Sequence, residues 1–138
     1  MRKMIVVFSH TLSEEQKEDA RRSLGVENFI FLTEGLRAVW SSISPLADDV
    51  RPLLDGIVGF VTHHGRRGDY LLVQGDFGAT CYMVEVAYNL DMIPVYAAAW
   101  REVEEYEKGG SVVTVRTFRH VRFREYLSTS KNQRSGNG

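Results

Sequence analysis

Residues 69–90 read Asp69-Tyr-Leu-Leu-Val73-Gln-Gly75-Asp-Phe-Gly78-Ala-Thr80-Cys-Tyr-Met-Val-Glu-Val-Ala-Tyr-Asn-Leu90, and this stretch sets the fold class. Tyr70 to Val73 is a short apolar run with a β-branched end, the pattern of a strand buried on both faces of a parallel sheet. Gln74, Gly75 and Asp76 interrupt it. From Gly78 onward, Ala79, Met83, Val86, Ala87 and Leu90 recur at helical spacing. The unit is strand, tight glycine turn, helix. In open α/β sheets such a turn aims unpaired helix N–H groups into a crevice at the strand's carboxyl end, where anionic ligands bind. Gly75 and Gly78 let backbone approach a ligand without a Cβ in the way. Gln74, Phe77, Ala79 and Thr80 are the other candidate ligand contacts of this turn. A βα connection that needs glycine only for its own geometry fits the same residues. Gly-x-Gly-x-x-Gly with a later acidic ribose ligand does not occur here, which argues against a redox enzyme of the dinucleotide-binding type.

On the amino-terminal side, Met4 to Phe8 is a β-branched run that predicts the first strand, followed by Ser9, His10 and Thr11. Ser13 and Gln16 form a capping box, the helix they start runs to Leu24, and Gly25 stops it. Phe29 to Leu32 predicts a second strand, and Leu36, Val39 and Trp40 mark a short helix. Ser44-Pro45 fits an N-cap and a first-turn proline. A helical stripe then runs from Leu46 to Val61, with a kink or a late start at Pro52. On the carboxyl side, Ile93 to Ala98 predicts a strand. Arg101 to Glu107 and Val112 to Phe123, joined by Lys108-Gly109-Gly110, predict a hairpin. Period-two alternation puts His120, Arg122 and Arg124 on one face and Arg119, Val121 and Phe123 on the other. The expected architecture is a small Rossmann-like α/β domain over residues 1–127, mostly parallel with a carboxyl-terminal β-hairpin. Residues 128–138, rich in Ser, Asn and Gly, are expected to form a disordered tail.

The chain has 138 residues, enough for one core, and its 17 basic and 18 acidic side chains leave a net charge of −1. A polyanion must therefore be held by a local patch. Cys81 is the only cysteine, which excludes disulfide frameworks and Cys-rich zinc sites. A buried inert thiol is expected, although a helix start also suits a thiolate. The amino-terminal apolar run is too short for a signal peptide or a membrane span, so a cytoplasmic protein without a membrane partner is expected. His63 and His64 have no carboxylate or thiol at ligand spacing, and their place in a last helical turn suits the helix dipole better than a metal. Neither a metal nor a cofactor is expected.

The loops Ser9-His10-Thr11 and Gly75 to Thr80 should meet at the carboxyl edge of the sheet. His10 is the imidazole of this group, suited to proton transfer or to phosphate donation, or equally to a backbone hydrogen bond. Asp76 can orient a hydroxyl or hold a ribose, or make an Asx turn with its own backbone. An isolated carboxylate makes a metal-dependent nuclease a poor fit. His120, Arg122 and Arg124 form the local basic concentration, suited to phosphate oxygens or simply to a soluble strand edge.

Three segments carry a resemblance. They are Ser9-His-Thr-Leu-Ser-Glu-Glu-Gln16, Gly68-Asp-Tyr-Leu-Leu-Val-Gln-Gly-Asp-Phe-Gly-Ala-Thr80 and His120-Val-Arg-Phe-Arg-Glu-Tyr126. Together they resemble a small family of type III CRISPR-associated accessory proteins, similar in turn to the Rossmann-like nucleotide-sensing (CARF-like) domains, over Ile5 to Tyr126. The resemblance implies a homodimer that binds a cyclic oligoadenylate, cyclic tetra-adenylate foremost. It also implies a ring nuclease that cleaves this second messenger to end antiviral signalling. The expected chemistry is metal-independent attack of a ribose 2′-hydroxyl on the adjacent phosphate. His10 and Asp76 are then the candidate catalytic residues. Ser9, Thr11, Gln74, Gly75, Phe77, Gly78, Ala79, Thr80, His120 and Arg122 are the candidate ligand contacts. A non-catalytic sensor or sponge for the same ligand is the alternative, and direct binding of duplex nucleic acid is not expected.

Overall fold

The structure, a computed structural model, describes residues 1–128. Its elements in order are β1 (Arg2–Val7), α1 (Glu14–Leu24), β2 (Val26–Phe31), α2 (Glu34–Ser41), a 3₁₀ turn (Arg51–Leu54), α3 (Asp55–His64), β3 (Tyr70–Val73), α4 (Phe77–Asn89), β4 (Ile93–Lys108) and β5 (Ser111–Glu125). One sheet holds all five strands in the order β2-β1-β3-β4-β5. The first four are mutually parallel, and β5 runs antiparallel to β4. This is a mixed α/β fold. The expected tail beyond Ser128 lies outside the described residues.

Alternate residues of the buried strands build two cores. Ile5, Val7, Leu71 and Val73 meet Trp40, Leu54, Ile57, Val61 and Met83 from α2, the 3₁₀ turn, α3 and α4 on one face. Met4, Val6, Tyr70 and Leu72 meet Leu12 and Ala20 around α1 on the other. Both faces of β1 and β3 are therefore covered, which is why these strands read as continuous apolar runs. Asp69 fastens the amino-terminal edge. Its carboxylate accepts from the Lys3 and Arg66 backbone N–H groups at 3.1 and 2.9 Å and pairs with Lys3 Nζ at 3.0 Å.

Several boundaries match the sequence pattern. The Ser13–Gln16 capping box is formed, and Gly25 ends α1 at φ 69°. Other expectations are corrected. Strand β2 begins at Val26 rather than Phe29, because parallel pairing with β1 extends it backward through Val26 opposite Arg2. No helix begins at Ser44-Pro45. There the Ser44 hydroxyl accepts from Leu46 N at 3.2 Å, a local turn that competes with helix. The helix expected from Leu46 starts only at Asp55, behind a 3₁₀ turn that holds Pro52 in its first positions, which is the late start that the proline favours. Cys81 is exposed rather than buried, because it points away from the α4 face that carries Ala79 and Met83.

The expected Ile93–Ala98 strand and the first arm of the hairpin are one strand, β4. Ala97, Ala98 and Ala99 carry the backbone straight from the sheet into the arm. A bulge lies opposite them: Ala98 pairs with Arg122 and Ala99 with His120, leaving Val121 as the extra residue. The bulge overturns the simple alternation. His120 shares a face with Phe123, with ring centroids 4.7 Å apart, on the α1 side. Arg122 and Arg124 take the opposite side with Tyr96 and Ala98, and Arg119, paired with Trp100, joins them.

Candidate functional site

The sheet order places β1 beside both β2 and β3, so the chain's connections diverge between β1 and β3. Crevices for ligands form at such switch points, outside the carboxyl ends of the strands. The loops after β1 and β3 lie here side by side, joined by a hydrogen bond from Gln74 N to Val7 O at 3.2 Å. Helix α2 holds both. Arg37 donates to Ser9 O from Nε at 3.2 Å and from Nη2 at 2.7 Å. Trp40, one turn along the same helix face, donates from Nε1 to Gln74 O at 2.8 Å. The Gln74 side chain reaches the third partner, accepting from Ala97 N at 2.8 Å. Gln74 is thus a bracket between α2, β3 and β4.

The glycines of the turn differ in role. A Cβ on Gly75 would lie 2.7 Å from Trp40 Nε1, so the indole requires glycine there. A Cβ on Gly78 would meet only Asp76 Oδ2, at 3.5 Å, an ordinary contact, so the fold leaves Gly78 free. Asp76 is the N-cap of α4 and accepts from Ala79 N at 3.0 Å. By helix geometry the N–H groups of Phe77 and Gly78 project past the same end, where the dipole favours an anion. The Phe77 side chain stands almost fully exposed at this end. Thr80 Oγ1 is buried and has no hydrogen-bond partner among the described residues, so the helix start presents backbone rather than this hydroxyl.

His10 turns to the other side of its loop. Its ring meets Phe8 edge-on at 5.2 Å, and it lines a cavity of about 240 Å³ with Thr11, Lys17 and Arg37. Beyond the carboxyl end of β3, the β4–β5 arm continues past the sheet. Arg122, opposite Ala98, stands one residue past the level at which Gln74 meets Ala97. Arg122, Arg124, Trp100, Ala98 and Ala99 line an open groove of about 570 Å³. The arginines lie on the sheet face that carries α4. His120 faces away from them. Its Nε2 lies 2.7 Å from Asp19 Oδ2, and both side chains are nearly buried. Burial opposes ionisation of Asp19, but hydrogen bonds from Ser23 and His120 outweigh it and hold the carboxyl below its usual range. This pair pins the base of the arm to α1.

Sequence patterns did not single out Lys17, Arg37 or Arg124's neighbour Trp100 as site residues. Arg37 and Trp40 lie three apart, so one helix face presents both, and that spacing was the available signal. Tyr126, just after β5, donates to Val73 O at 2.6 Å, and burial pushes its phenol up to about 12. It is a neutral donor here and not a base.

A family model matches residues 2–124, nearly the whole described chain. The chain belongs to the Uncharacterized protein MJ1673 family. Its relative in Methanocaldococcus jannaschii, Uncharacterized protein MJ1673, is 43% identical over 126 residues, covering 91% of this chain and 98% of the relative. No solved structure matches the chain. The family model covers the Ser9–Thr11 loop, the Gly75–Thr80 turn and the bulge at Val121 alike.

Proposed function

We propose that this chain binds a cyclic oligoadenylate, cyclic tetra-adenylate foremost, at the carboxyl edge of its sheet and cleaves it without a metal, as a ring nuclease that ends type III CRISPR signalling. The observation that carries the reading is the switch point between β1 and β3. Two loops held by Arg37 and Trp40 lie beside the α4 start, and an arginine-lined groove opens on the α4 side of the sheet. Helix N–H groups and arginines suit phosphates, and exposed Trp100 and Phe77 offer faces on which bases stack. The sequence resemblance names the ligand. The fold is then Rossmann-like of the CARF type, and the protein is cytoplasmic.

In the reaction a ribose 2′-hydroxyl attacks the adjacent phosphorus, and the bond to the 5′-oxygen breaks. The products are a 2′,3′-cyclic phosphate and a 5′-hydroxyl. The 2′-proton leaves to a base or solvent, and the departing oxygen gains one. Positioning for in-line attack and donors around the phosphorane supply the rate; His10, the candidate for the proton, lies on the other side of its loop and serves a ligand that spans both sides. A homodimer matches the rotational symmetry of the ring. The arm supports this, since Trp100, Val103, Val112 and Phe118 are exposed along a ribbon that has no third strand among the described residues.

A second reading, binding without cleavage, has its own support. The Asp76 carboxylate is engaged as the cap of α4, and among the described residues no carboxylate lines the cavity that His10 lines. Incubation of cyclic tri-, tetra- and hexa-adenylate with stoichiometric excess of protein and chelator separates the two. Linear products with cyclic phosphate ends are expected. Tight binding with every ring intact would leave a sponge, and absence of binding would overturn both readings.

A further inference from the structure

The cavity beside His10 lies off the switch point, between the carboxyl ends of β1 and β2 and the start of α1. Its apolar lining combines the rings of Phe8 and Phe31 with Val6, Leu12 and Leu32. Its polar groups are Thr11, His10, Lys17 and Arg37, and among the described residues no carboxylate lines it. Phe31 is 47% exposed although it stacks on Phe29, so part of its ring is left for another partner. Arg37 spends Nε and Nη2 on Ser9 O and retains its remaining N–H groups. Among the described residues Lys17 reaches only Glu14, at 3.2 Å across an exposed surface, a pair of little energetic weight.

A volume of about 240 Å³ is below the ~300–1,000 Å³ of pockets that enclose a drug-sized ligand. It admits one ring system and leaves the rest of a ligand outside. Aromatic walls favour a planar heteroaromatic occupant. Two cations at its rim, Arg37 and a Lys17 whose pairing with Glu14 is weak and solvated, favour an anionic substituent on it. We infer that this cavity is a nucleobase pocket: it takes the adenine of an adenine nucleotide, with the attached phosphate held by Lys17 and Arg37. The choice of adenine rests on the reading above. The aromatic and cationic geometry stands without it.

The test uses the full-length protein with adenosine 5′-monophosphate, adenosine and inorganic phosphate, read by calorimetry and by amide chemical-shift changes. The nucleotide is expected to bind more tightly than adenosine or phosphate, with shifts centred on Phe8, Thr11 and Leu32. Phe31→Ala, at an exposed position, should weaken the nucleotide about tenfold or more, as loss of one stacking face does. Lys17→Met should weaken the nucleotide but leave adenosine unchanged. Shifts confined to Gly75–Thr80, or affinities untouched by both variants, would overturn the pocket. Cyclic tetra-adenylate keeps the two ideas apart. Its binding without any effect of Phe31→Ala sinks the pocket and spares the proposed ligand. Nucleotide binding in the cavity without binding of the ring keeps the pocket and sinks that ligand.

Discussion

Gly75 and Gly78 look alike in the sequence, and the structure gives them different reasons. A methyl on Gly75 meets the Trp40 indole at 2.7 Å, whereas one on Gly78 meets nothing closer than 3.5 Å. Gly75→Ala should therefore lower thermal stability by displacing Trp40 from Gln74 O, at a cost on the order of 1–3 kcal/mol as for other overpacking changes. Gly78→Ala should leave the melting temperature nearly unchanged. If it nonetheless weakens cyclic oligoadenylate binding, the loss reports ligand contact and not fold. Equal melting temperatures for both variants would refute the distinction. Among the described residues no hydrogen bond holds the His10 ring, which sits on a loop that Arg37 fixes through Ser9 O. Its replacement by Ala should slow single-turnover cleavage by roughly a hundredfold, the usual scale for a lost general acid or base, with little change in affinity. An unchanged rate would leave positioning of the 2′-hydroxyl as the source of catalysis.

Two buried carboxylates fasten elements of this chain to one another. Asp69 ties the starts of β1 and β3, and Asp19 ties α1 to the base of the arm. Burial works against the charge of Asp69, but the Lys3 ammonium and the Lys3 and Arg66 N–H groups overcome it and lower its pKa. A carboxyl lowered in the folded state adds stability above its unfolded value, near ~3.9, and loses it as pH falls through the folded value. Urea midpoints should thus hold steady above about pH 5 and fall below about pH 4. The gap between wild type and Asp69→Asn should be widest near neutrality and close in acid. A gap that persists at low pH would show that Asp69 acts through shape alone. Helix α2 works differently, as a clamp on two loops. Arg37→Ala removes both donors to Ser9 O and should raise the hydrogen-exchange rate of residues 9–12 while leaving β3 protected.

At the scale of the molecule, four strands are packed between helices, and the long arm extends past them. Trp100, Phe118 and Val112 are 66%, 73% and 67% exposed there, and a two-stranded ribbon is marginal in water on its own. A two-fold dimer that covers the arms should appear in sedimentation as a species of twice the chain mass. Val112→Glu with Phe118→Glu, on one face of the ribbon and outside the arginine groove, should shift it toward monomer and weaken cyclic tetra-adenylate binding together. A wild-type monomer, both free and with saturating ligand, would refute the dimer. No helix among the described residues is long and apolar enough to cross a membrane.

Local chemistry alone determined much of this chain. The Ser13–Gln16 box and the Gly25 stop follow from contacts within a few residues, the strand Tyr70–Val73 and the turn after it are legible in local composition, and each stands where its pattern puts it. The parallel α/β order follows too, because buried parallel strands must be continuously apolar. What tertiary structure decided depends on partners distant in sequence. Strand β2 lengthens because β1 offers it backbone groups to pair with. The bulge at Val121 is set by how β5 must register on β4 while His120 reaches Asp19, 101 residues away. Period-two counting assumes an unbroken ladder, so it put His120 with the arginines and Arg119 apart from them. One inserted residue reverses both placements. The cavity of Phe8, Phe31, Lys17 and Arg37 likewise draws on four separate elements or their ends. No spacing along the chain encodes it, since only the packing of α1 and α2 across the sheet brings those side chains together.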